Sequence, residues 1–152
     1  MNLSFREKSL WLDLVATLVI AFYYAFALSG FSGDQIADIH AVMDLLWDVV
    51  VFGILVSILS TIALSYHDSK AADAPLDERE NLAELKATQY GYWVLLVGIT
   101  APVLLYGLES GGRNEMGLSL PPYATLHAMV AFYILAEILV SANQLWRLRQ
   151  AL

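Results

Sequence analysis

The chain has 152 residues, 59% of them hydrophobic and only 15% charged, with a mean hydropathy of +0.60, whereas a soluble domain averages about 45–50% apolar and about 25% charged residues. A formal net charge of −7 with eight Lys and Arg argues against direct nucleic-acid binding, because no basic cluster offsets it. Cysteine is absent, which removes disulfides, thiol redox chemistry and thiolate metal sites.

The charges are bunched, and between them lie four apolar runs at about residues 10–29, 41–66, 90–109 and 123–145. Each is near the roughly 20 residues a helix needs to cross a bilayer, and backbone groups in lipid must be satisfied within the segment. The expectation is an all-α integral membrane four-helix bundle, up-down-up-down, formed by one domain over residues 1–152. The first run is too long for a signal-peptide core and lacks a small-residue cleavage site, so it reads as a span. It carries Asp13 near its start and Thr17 one turn deeper on the same face.

After a short connection at 30–39 comes "HAVMDLLWD", in which His40, Asp44 and Asp48 repeat every four residues and share a helix face. A helix-start acidic pair sits well with the positive end of the helix dipole, which accounts for the carboxylates without a function. The competing account needs partners from other spans, taken up below.

The longest polar stretch joins spans two and three, at 67–89. Asp77 and Glu80 have the spacing of a helix-opening capping pair, and no breaker follows Glu78 before Gly91. The third span is therefore expected to extend as a helix beyond the membrane, with Leu82 and Leu85 on one side. Such a helix is either a solvated stub or a docking surface for a cytoplasmic protein. "LDERENLAELKATQYGYWVLL" resembles the Asp-Glu-Arg signature that precedes a span in small uncharacterised prokaryotic four-span membrane proteins, catalogued as domains of unknown function. Asp77, Glu78 and Arg79 carry the resemblance. It implies a prokaryotic inner (plasma) membrane location and a small helix-turn-helix regulator as a candidate partner, and it brings no catalytic residue.

Span three contains Pro102 between Gly98 and Gly107, where a kink or thinned backbone is expected, and ends near Glu109. Span four contains His127 about one turn below its start and Glu137 deep within it. A charge at the bilayer centre costs at least about 2.5–3.5 kcal/mol, so Glu137 is expected to face the bundle, either protonated or paired. Spans one and four are neighbours in a ring, which makes a Thr17–Glu137 hydrogen bond or an Asp13–Glu137 shared proton geometrically accessible. Trp11, Trp47, Trp93 and Trp146 fall near span ends, as do Tyr66, Tyr90, Tyr92 and Tyr123, forming an aromatic belt.

Seven of the eight basic residues (Arg6, Lys8, Lys70, Arg79, Lys86, Arg147 and Arg149) fall on one side, and Arg113 alone on the other. The positive-inside rule then makes both termini and the 67–89 connection cytoplasmic. His40, Asp44, Asp48, Glu109 and His127 are all expected near the opposite face, where two imidazoles with carboxylates suit a divalent metal or protons. The absence of a Glu-x-x-His pair weakens the metal reading. No cofactor is firmly implied, and haem between His40 and His127 is disfavoured because one of them falls at the interface.

No nucleophile motif, phosphate loop or zinc-protease signature occurs, and "ESGGRNEMG" reads as a turn. Two functions remain. The first is a non-enzymatic regulatory or accessory membrane protein that contacts a cytoplasmic partner through the 77–86 helix. The second is a cation-, metal- or proton-binding membrane protein using the intramembrane Asp, His and Glu residues. As a transporter subunit it would need to form a homo-oligomer to build a pathway.

Overall fold

The computed structural model describes residues 4–67, 77–111 and 122–150. It is all helical over those residues: α1 Phe5–Ser29, α2 Gly33–Ala37, α3 Ile39–His67, α4 Glu78–Gly111 and α5 Ala124–Gln150. The four long helices each contain one of the expected apolar runs and are long and apolar enough to cross a membrane.

The helix starts are set by side chains placed to satisfy the free N–H groups of a first turn. Ser4 and Glu7 form a reciprocal capping box on α1, at 3.2 and 3.0 Å. Ser32 and Gln35 do the same for α2, at 3.4 and 2.9 Å. That Ser-x-x-Gln pair was the available signal for α2, a turn of helix inside what the apolar pattern marks only as a connection. Asp38 caps α3 by accepting from the His40 N–H at 3.0 Å. Asp77 caps α4, accepting from the Arg79 N–H, while Glu80 accepts from the Asp77 N–H at 3.3 Å. α4 therefore begins where the Asp77/Glu80 pair places it. It runs unbroken for 34 residues with Pro102 inside, about 50 Å at 1.5 Å per residue. That exceeds the roughly 30 Å hydrocarbon core by several turns.

The long helices pack as a row. α4 lies along α5, α5 along α1, and α1 along α3. The α4–α5 contact is the most extensive and depends on small residues. Ala83, Ala87, Gly91 and Gly98 are buried on α4, and a Cβ added at Gly98 would lie 2.5 Å from the Cβ of Phe132. One added at Gly91 would collide with the Cγ2 of Val140. Close backbone approach through small residues is how helices associate in lipid, where apolar burial gives little drive.

The ends of the row differ. At the end carrying both chain termini, Arg149 pairs with Glu7 at 3.6 Å and lies over the Trp11 ring, 5.6 Å to its centroid. Arg147 lies 5.6 Å over the Tyr90 ring and donates to the Asn143 carboxamide oxygen at 2.6 Å. We call this the terminal end and the other the loop end. The apolar core belongs to the loop half: Tyr24, Leu45 and Val49 are buried together, with Ile20, Leu28, Val130 and Ile134 packed on them. Tyr123, at a left-handed φ of 55°, ties the start of α5 to α2 by donating to the Ala37 carbonyl at 3.3 Å.

Candidate functional site

In the terminal half α4 packs closely on α5, but the space between α1, α3 and α5 is not filled. A cleft of about 230 Å³ opens there between α1, α3 and α5, lined by Asp13, Thr17, Ser57, Glu137, Ser141 and Gln144 along with Leu10, Ala16, Ile20 and Val140. All six polar side chains offer oxygen, and no Lys, Arg or His is among them. Asp13 and Glu137 are both exposed to this space. Two span carboxylates thus come from different helices to one cleft. Ser141 is 6% exposed, and its hydroxyl has no hydrogen-bond partner among the described residues. A buried hydroxyl without a partner costs roughly 1–3 kcal/mol, unlike the typical satisfied buried group.

Glu137 lies on the side of α5 turned to α1 and α3. It faces the cleft and is exposed, not packed in the bundle core, because α5 turns Ala136 and Leu145 into its helix contacts instead. Thr17 does not bond to Glu137. Its hydroxyl donates back to the Asp13 carbonyl at 2.9 Å, the local bond a helical threonine makes readily.

The expected outward cluster does not form among the described residues. His40, Asp44 and Asp48 are exposed on α3, on the side opposite Val42, Leu45 and Val49, which face the core. At 3.6 residues per turn the centres of the two sets are about 130° apart, so the titratable row is turned off the face that packs in the core. His127 faces α1, where its Nδ1 shares a hydrogen bond with the Tyr24 hydroxyl at 2.5 Å. The backbone of Glu109 lies near the end of α4, and its side chain falls outside the described residues. No group of three or more His, Asp and Glu able to hold a metal ion occurs among the described residues. The helix-dipole account of Asp44 and Asp48 also needs correcting. Asp38 takes the cap of α3, which leaves Asp44 and Asp48 beyond the first turn, where the dipole no longer acts.

On α4, Asp77, Glu78 and Arg79 form the capped start, while Leu82 and Leu85 are exposed. The residues that pack on α5 from this segment are Ala83 and Ala87, not the leucines. Sequence reading missed Ser57, Ser141 and Gln144. Each is a polar residue in an apolar run, and the α5 spacing of four from Glu137 to Ser141 was the one signal that pointed to a shared face.

Compared with protein-family models, curated proteins and solved structures, the chain finds no match.

Proposed function

We propose that this is a small, non-enzymatic, multi-pass membrane protein that binds protons or a hard cation in the Asp13–Glu137 cleft. The observation that carries the reading is the pairing of two span carboxylates in one cleft with a buried, unpartnered Ser141 hydroxyl and no basic side chain. An all-oxygen set of carboxylate, hydroxyl and carboxamide suits hard ions and protons rather than soft transition metals. In a low-dielectric setting the cleft must remain near neutral. A monovalent ion therefore displaces one carboxyl proton on entry, and a divalent ion displaces two.

The experiment is infrared difference spectroscopy of detergent-purified protein on addition of sodium, magnesium or calcium. The reading expects loss of a protonated-carboxyl C=O band, reduced in Asp13→Asn and in Glu137→Gln. A spectrum unchanged by all three ions, or a band unaffected by both substitutions, contradicts it.

A second reading is favoured by the exposure of Leu82 and Leu85 on the first turns of α4. In it the 77–86 helix docks a cytoplasmic protein, for which the Asp77–Arg79 resemblance suggests a small helix-turn-helix regulator. The cytoplasmic placement of this end rests on the clustering of basic residues there, and the prokaryotic inner membrane on the same resemblance.

A further inference from the structure

We propose that the Asp13–Glu137 cleft is loaded from the terminal end only, along a groove between α1 and α3, and that the groove admits small hydrated cations or hydronium and excludes anions. The inference rests on the cleft being a binding site and adds its route of entry and the charge of what enters.

Three observations point the same way. First, a second cleft of about 190 Å³ adjoins the first at the terminal end, lined by Ser9, Ser60, Thr61 and Ser65 with Asp13. Asp13 lines both spaces, so it stands at their junction. Second, three of the hydroxyls along the way have placed their protons on backbone carbonyls. Ser60 and Thr61 both donate to the Ser57 carbonyl at 2.9 Å, and Thr17 donates to the Asp13 carbonyl. What they turn to the groove is oxygen lone pairs. A groove with these acceptors, no basic side chain in its lining and a carboxylate at its end attracts cations and water protons and repels anions. Third, the other direction is shut. Beyond Ile20 the same three helices close on Tyr24, Leu45 and Val49, and the Tyr24–His127 hydrogen bond joins α1 to α5 there. An ion from the loop end would have to cross that apolar plug.

The chain is naturally free of cysteine, so single cysteines can be read without a background. Ser60→Cys, Ser57→Cys and, as a control inside the plug, Ile134→Cys are labelled in membrane vesicles of both orientations with a membrane-impermeant, positively charged thiol reagent and with its negatively charged analogue. Ser60→Cys and the deeper Ser57→Cys are expected to react with the cationic reagent from the terminal side alone, faster than with the anionic one, while Ile134→Cys stays unlabelled. Modified Ser60→Cys protein is further expected to lose the proton release that sodium, magnesium or calcium evokes before modification. Labelling of Ser57→Cys from the loop side, labelling from neither side, or faster reaction with the anionic reagent overturns the proposal. Proton release that survives modification of Ser60→Cys overturns it as well. If unmodified wild-type protein releases no protons with any of the three ions, the binding reading fails, and the labelling pattern still decides the route.

Discussion

Ser141 and Gly98 mark the two ways in which a single position matters in this molecule. Ser141 carries a polar atom buried without a partner among the described residues, at a site where the lining groups share a preference for positive charge. Gly98 is the absence of an atom, and Phe132 occupies the space. Gly98→Ala is therefore expected to destabilise by about 1–3 kcal/mol through overpacking, despite alanine's better helix propensity. The obstacle is the Phe132 Cβ, which Phe132→Ala retains, so that second change should not rescue it. Gly91→Ala meets only the end of Val140, and Val140→Ala should restore it. Unfolding in mixed micelles with a denaturing detergent measures both, and rescue of Gly98→Ala by Phe132→Ala would contradict the assignment. Tyr24→Phe keeps the ring and removes the bond to His127. A polar contact in a membrane averages about 0.6 kcal/mol and rarely exceeds about 1.7, so the same assay should register a loss within that range.

At the scale of elements, hydropathy alone located the four long helices, since runs of about 20 apolar residues have no other stable form in lipid. The Asp77/Glu80 pair likewise located the start of α4. What the sequence left hidden was helix rotation. His40, Asp44 and Asp48 visibly share a face, but nothing in the spacing says whether that face turns inward. The packing of α3 on α1 through the loop-end core decides it, and that contact is non-local. Depth singles out Glu137 and helix order sets Asp13 and Thr17 beside it, whereas Ser57, Ser141 and Gln144 join the cleft only through the packing of α1, α3 and α5. The exposed Leu82 and Leu85 yield an element-scale prediction for the docking reading. Changing both to Ser should leave unfolding stability within about 0.5 kcal/mol of wild type while releasing any co-purifying cytoplasmic protein. Retention of that protein by the double variant would remove the basis of docking. The Glu7–Arg149 pair at the terminal end is a smaller matter. With Arg149 about half exposed, Arg149→Ala should cost less than about 1 kcal/mol, and the loss should shrink in high salt.

Over the whole molecule an aromatic and aliphatic cluster packs α1, α3 and α5 at the loop end, α4 packs closely on α5 toward the terminal end, and the space left between α1, α3 and α5 there is lined by two acids and a line of oxygens. The site is held by helices that the loop-end core and the α4–α5 contact fix. Because carboxylates must lose protons to hold a cation, affinity should rise with pH until both acids are ionised. The most direct measurement is proton release from weakly buffered, detergent-purified protein during titration with sodium, magnesium or calcium, comparing wild type with the Asp13→Asn/Glu137→Gln double variant. The account predicts saturable release from wild type with at least one of the ions, tighter at higher pH, and none from the double variant. Release of equal size from both proteins, or from neither, would contradict it.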